Sequence, residues 1–220
     1  MLQIRTPYLV FLGEAHDQLA GKTGVGVAQW RPDACIGQMR LPGCKADAGL
    51  PDLTLEEAAE RGAKTLLIGT TTRGGRINAE WQKLMIRAIE LGMDIASGLH
   101  DRIADQPAVA EAAKLHGRAI HDVRHPKDIF PVGTGVKRAG KRVLTVGTDC
   151  SIGKMFTGLA LERDLRAAGM KATFRATGQT GILIAGSGIP LDAVVADFIS
   201  GAVEMLCPAN DPDHWDVVEG

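Results

Sequence analysis

The residues best suited to chemistry lie between Arg142 and Met155. A short run with strand character, Arg142 to Val146, leads into Gly147. Thr148, Asp149, Cys150, Ser151 and Ile152 follow, and Gly153, Lys154 and Met155 open a helix predicted to run to Ala168. A glycine loop between a strand and a helix aims backbone N–H groups and the positive end of the helix at one point, where a diphosphate can sit. A lysine at the helix start adds a full charge. The plainer alternative is a tight strand-to-helix turn with a surface lysine. The departures from the usual phosphate loop are informative. That loop has four residues between its glycines and a Ser or Thr after the lysine, whose hydroxyl holds Mg²⁺ against the β and γ phosphates. Here five residues separate Gly147 from Gly153, and Met155 offers no oxygen. Thr157 falls on another side of the first helical turn. The pattern therefore suits a diphosphate ligand with no γ-phosphate to transfer, such as coenzyme A.

Gly147 to Met155, together with Arg175 to Pro190 (RATGQTGILIAGSGIP) and Asp197 to Gly201 (DFISG), resembles the P-loop-containing family typified by D-glutamate N-acetyltransferase. Arg31-Pro32, Gly69 to Gly75 (GTTTRGG) and Asp122 to Pro126 (DVRHP) extend the likeness into the N-terminal half. A wider similarity, to dethiobiotin synthetase, rests on the Gly-Thr-Asp start and the five-residue spacing, but that enzyme keeps Thr after its lysine. The resemblance implies transfer of acetyl from acetyl-CoA to the amine of a D-amino acid, most simply D-glutamate. It also implies a Rossmann-like N-terminal domain and a homodimer. The competing functions are an ATP-dependent kinase or ligase of the dethiobiotin synthetase type and a nucleotide- or CoA-binding protein without turnover.

Under that reading the site needs a base for the acceptor nitrogen, a partner for the substrate carboxylates and donors to the thioester oxygen. The cofactor-binding set is Gly147, Thr148, Cys150, Ser151, Ile152, Gly153, Lys154 and Met155. Arg175, ending a predicted strand, is the first choice for a carboxylate clamp, because its planar fork matches a carboxylate. A strand-end arginine on the surface is the alternative. Gln179 and Thr180, read as lying in a loop between Gly178 and Gly181, and Arg73, in the glycine-rich stretch 69–75, complete the substrate-binding set. Asp149 in the loop and Glu219 after a predicted strand are the two candidate bases. A carboxylate beside Lys154 is expected to stay ionised. Either acid is equally able to orient the lysine instead. His100-Asp101 and His121-Asp122 are sequence neighbours that point to opposite sides when extended. No Glu-x-x-His spacing occurs, and no metal is expected.

The elements that must position these groups alternate along the chain. Strands are predicted at 8–12, 64–68, 93–96 and 118–122. Between them, Thr54 and Glu57 form a capping box for a helix ending near Arg61. A second helix spans Ala79 to Leu91, where Gly92 stops it, and a third begins at Pro107 and runs to His116. The proline- and glycine-containing stretch His125 to Lys141 is read as a linker. After it come the strand and helix of the phosphate loop, a strand at 172–176, a glycine-rich loop, a helix at 191–206 and a strand at 215–218. Alternation of this kind predicts an α/β fold with parallel sheets: residues 1–130 as one unit, Rossmann-like by the resemblance, and 131–220 as a P-loop-like domain. Only three strands follow Lys141, so the second sheet is expected to be incomplete at the C-terminus, with a missing part contributing to the site.

Composition narrows the function classes. The chain has 220 residues, 25 Lys plus Arg against 26 Asp plus Glu, and a formal net charge of −1. That balance lacks the basic stripe a nucleic-acid partner calls for. No window reaches 18 uncharged apolar residues, so no membrane partner is expected. The apolar run at the N-terminus is too short for a secretion signal, so the expected setting is the cytoplasm. Cys35, Cys44, Cys150 and Cys207 are scattered with no Cys-x-x-Cys pair, which argues against structural zinc or a disulfide framework. With 27 glycines and 4% aromatics, the chain suits tight strand-to-helix turns over an aliphatic core.

Overall fold

A computed structural model describes residues 3–70, 77–126, 129–149 and 152–220. The chain forms two compact units that divide between Arg124 and His125. Both are α/β, with every strand pairing parallel.

Among the described residues the first unit has one sheet of five strands, β1 (Tyr8–Gly13), β2 (Cys35–Arg40), β3 (Thr65–Ile68), β4 (Asp94–Ser97) and β5 (Ile120–Asp122). Their order is β2-β1-β3-β4-β5. Strands β1, β3 and β4 are buried throughout, as continuous apolar runs must be when helices cover both faces of a parallel sheet. Helices α1 (Lys22–Trp30), α2 (Leu55–Glu60), α3 (Ala79–Glu90) and α4 (Pro107–Leu115) supply that cover. On one face Leu9, Phe11, Leu66, Ile68 and Ile95 pack with Trp81, Met85, Ala88 and Ile89 of α3. The Trp81 ring meets Phe11 edge to face at 4.9 Å. On the other face Val10 and Leu12 pack with Ala15 and Ala46. The predicted capping box is present at Thr54 and Glu57, and the Asn78 side chain caps α3 by accepting from Trp81 N–H.

Two elements of this unit, α1 and β2, have no counterpart in the sequence reading. Their glycines serve contact. At Gly24 a Cβ would lie 2.7 Å from Val10 Cγ1, and the Gly24 N–H donates to Gly69 O at 2.8 Å. At Gly37 a Cβ would overlap Leu53. Read along the chain, these glycines resemble loop punctuation.

Among the described residues the second unit has strands β6 (Lys141–Leu144), β7 (Ala172–Arg175) and β8 (Trp215–Val218), in the order β6-β8-β7. Helix α5 (Lys154–Ala167) leaves the phosphate loop, α6 (Gln179–Ala185) follows β7, and α7 (Ile199–Leu206) precedes β8. Phe130, Ile189, Ala202, Leu206, Cys207 and Val218 form a core on one side of the sheet.

Two expectations are corrected here. The glycine-rich stretch after β7 holds α6, with Gly178 as its N-cap and Gly186, at φ 74°, as its left-handed C-cap. Glycines at both ends of seven residues mark a short helix rather than a loop. The predicted helix 191–206 is instead two short 3-10 turns, Leu191–Ala193 and Ala196–Phe198, followed by α7. Val194 is extended between those turns. β-Branched residues hold that conformation readily. The stretch read as a linker has no helix or strand among its described residues before Lys141, yet it is fastened to α7. The Glu204 carboxylate accepts from the N–H groups of Thr134 and Gly135 and from the Thr134 hydroxyl. Ser200 Oγ accepts from the Gly133 N–H.

Among the described residues, no helix is long and apolar enough to cross a membrane.

Candidate functional site

The loop joining β6 to α5 is exposed from Val146 to Asp149. Gly153 caps α5 at φ 98°, a left-handed conformation that glycine adopts without strain. At Gly147 a Cβ would overlap Ile152 Cδ1 and stand 3.3 Å from Lys154 Cδ, so the Lys154 stem lies back over the loop. The first turn of α5 has neither a side-chain cap nor an acidic residue. The N–H groups that open the helix and the lysine thus meet no competing carboxylate from that turn, as an anion site requires. The Thr157 hydroxyl donates to Gly153 O at 3.0 Å, bonded into its own helix. Met155 follows Lys154 as expected. Cys150 and Ser151 of the predicted set lie outside the described residues, as does Arg73.

Glu219 stands one residue beyond β8, and its N–H continues the ladder to Arg175 O at 3.0 Å. Its Oε2 accepts from the N–H groups of Thr177 at 2.9 Å and Gly178 at 3.1 Å. The Thr177 hydroxyl donates to the Glu219 carbonyl at 3.0 Å. On the other flank, Gly220 N–H donates to Thr145 Oγ1 at 3.2 Å, at the root of the phosphate loop. Burial pushes the Glu219 pKa up, and the two N–H donors and the Lys154 charge oppose that rise without cancelling it. A carboxylate with raised proton affinity is a better proton acceptor near neutrality.

Arg175 is placed differently from the open clamp expected of it. Its Nε and Nη2 both reach Asp216 Oδ1 at 2.8 Å. Thr173 pairs with Asp216 and Arg175 with Val218, so side-chain alternation puts Arg175 and Asp216 on one face of the sheet. Asp216 is fully buried. Arg142 Nε stands 3.8 Å from its Oδ2, and His214 Nε2 stands 3.7 Å from its Oδ1. The rest of the Arg142 fork donates to the carbonyls of Arg138, Ala139, Gly140, Cys207 and Pro208. The Arg175 fork is thereby engaged with a buried counter-charge. Asp216 and Arg142 were missed as a group, although a charge inside a short apolar strand is itself a sign of a buried partner.

Gln179 and Thr180 open α6, half-buried, one residue beyond the Gly178 that holds Glu219. Asp149 is exposed in the phosphate loop. Thr177 and Gly178, which engage Glu219, were not singled out from the sequence as its partners. The His121-Asp122 pair is taken up in structural contacts. Asp122 accepts from the N–H groups of Ile103 and Ala104, and His121 stands 4.0 Å from Asp94. Among the described residues no cluster of His, Cys, Asp and Glu suited to a metal ion occurs.

Residues 39–126 match the Rossmann-like domain of unknown function DUF1611_N, and residues 131–220 match the P-loop domain of unknown function DUF1611_C. A D-glutamate N-acetyltransferase of Tritonibacter scottomollicae is 57% identical over 217 residues, which are 99% of this chain and 65% of that protein. Another, from a Pseudoalteromonas species, is 46% identical over 219 residues, 100% of this chain and 66% of that protein. The crystal structure of a DUF1611 family protein from Anabaena variabilis superposes with a TM-score of 0.77 at 30% identity, covering 98% of this chain and 66% of that one. The chain thus spans just under two thirds of the length of the relatives it matches.

Proposed function

The chain belongs to the DUF1611 family, and on that premise we propose that the protein moves acetyl from acetyl-CoA to the amine of a D-amino acid, D-glutamate foremost. The observation that carries the reading is the phosphate loop, which ends Gly153-Lys154-Met155 and whose nearby Thr157 hydroxyl is bonded within α5. Its glycines, helix start and lysine support a diphosphate ligand, and Met155 puts no hydroxyl beside the lysine for Mg²⁺. Relatives at 57% and 46% identity named D-glutamate N-acetyltransferase support the acyl transfer and the acceptor. A homodimer in the cytoplasm belongs to the same proposal.

In this reading the N–H groups from Gly147 to Lys154 and the Lys154 ammonium hold the diphosphate of acetyl-CoA. The acceptor nitrogen attacks the thioester carbonyl carbon, the C–S bond breaks, and the thiolate of coenzyme A leaves to be protonated. Glu219 takes the proton that the nitrogen sheds, and Asp149 is the competing base. Gln179 and Thr180, opening α6 near Glu219, are assigned to the acceptor.

Calorimetry tests the donor half. Coenzyme A binds, and EDTA leaves its affinity unchanged. Lys154→Ala weakens binding roughly tenfold or more, since a charge-assisted contact is worth about 1.5–3 kcal/mol. Tight binding of Mg-ATP with indifference to coenzyme A would overturn the reading in favour of phosphoryl transfer.

A further inference from the structure

The turn from β7 into α6 meets Glu219 at both ends of the residue. The Thr177 hydroxyl holds its carbonyl, while the Thr177 and Gly178 N–H groups both converge on Oε2. Glycines make room for this. A Cβ at Gly181 would overlap Oε2, and one at Gly178 would stand 3.2 Å from Oε1. Glycine inside a short helix costs backbone entropy that alanine would not, so Gly181 has a positive reason to be there. Two N–H donors occupy the acceptor capacity of Oε2, whereas among the described residues none engages Oε1.

We propose that Thr177, Gly178 and Gly181 are positioning residues that divide the Glu219 carboxylate into a held oxygen, Oε2, and a working oxygen, Oε1, on which the proton from the acceptor amine lands. The proposal rests on Glu219 being the base. Its geometric basis is that N–H donors stabilise an oxygen as acceptor and resist protonation of that same oxygen. A clasp made of main-chain groups also keeps its geometry when the carboxyl becomes neutral, returning Glu219 to one orientation for each turnover.

Two readouts separate the clasp from the base. In an NMR titration of the ¹³C,¹⁵N-labelled protein, the Glu219 side-chain carbon and the Thr177 and Gly178 amide protons move through one shared transition. Gly181→Ala abolishes the sharing, lowers acetyl transfer by roughly tenfold or more, and leaves coenzyme A affinity within about twofold. Should Gly181→Ala fail to fold, Thr177→Val serves. It keeps the N–H and loses the hydroxyl, slowing transfer several-fold with a shifted pH profile, and Thr177→Ser restores both. Amide protons that ignore the Glu219 titration in the wild type, or a Gly181→Ala variant that titrates and turns over normally, overturn the clasp. Full turnover in Glu219→Gln with the shared wild-type transition intact removes the base, and with it the working role of Oε1, while leaving the contacts themselves in place.

Discussion

Glu219→Gln is expected to lower acetyl transfer by about 10²–10⁴-fold, the range typical for loss of a positioned general base, while coenzyme A affinity stays near that of the wild type. The glutamine carbonyl can still accept from the Thr177 and Gly178 N–H groups, so the shape of the turn is kept. What is lost is an oxygen that can take a proton. The same substitution has a stability signature whose sign follows from burial. The pKa of Glu219 is raised in the folded protein, so the fold binds its proton more tightly than the unfolded chain does. Its favourable contribution is complete below the ordinary carboxylate pKa and is lost as pH rises through the raised one. Glutamine carries no charge at any pH. The variant therefore gains little in melting temperature in acid and progressively more as pH rises through the raised pKa, as thermal melts over a pH series will show. A variant that turns over normally would transfer the role of base to Asp149.

Asp216→Ala is expected to be the most destabilising single change in the second unit. Asp216 is fully buried between β6 and β7, where Arg175 reaches it twice at 2.8 Å and Arg142 approaches at 3.8 Å. Removing it leaves two guanidinium groups facing each other with no counter-charge, and breaking a buried pair in this way costs about 3–5 kcal/mol. That is a large part of the roughly 5–15 kcal/mol that holds an ordinary domain folded. Asp216→Asn keeps the volume and some hydrogen bonding and falls between wild type and alanine. Urea unfolding measures the series, and a loss under about 1 kcal/mol for the alanine variant would mean that Arg142, with its carbonyl partners, and His214 carry the cluster without the acid.

The central strands were readable because a strand buried on both faces is a plain apolar run, and α3 because its apolar positions recur at helical spacing until Gly92 stops it. Helix α1 and strand β2 escaped notice because Gly24 and Gly37 are close-approach positions, where the cause lies in a partner distant along the chain. Helix α6 was hidden for a related reason, since its cap glycines and Gly181 look like a loop until Glu219 is placed against them. The phosphate loop was legible from order and spacing alone. The partner of Arg175 was not, because a same-face relation with Asp216 exists only once β7 is laid beside β8 in register.

The proposed acetyl transfer from acetyl-CoA to D-glutamate is tested most directly by product identity. Incubating the protein with acetyl-CoA and a panel of D- and L-amino acids, with EDTA present, and analysing the products by mass spectrometry should give N-acetyl-D-glutamate and an equal amount of free coenzyme A. Lys154→Ala and Glu219→Gln should each suppress both products together. A phosphorylated or ligated product that forms only with Mg-ATP, and no acetylated amine under any condition, would contradict the account.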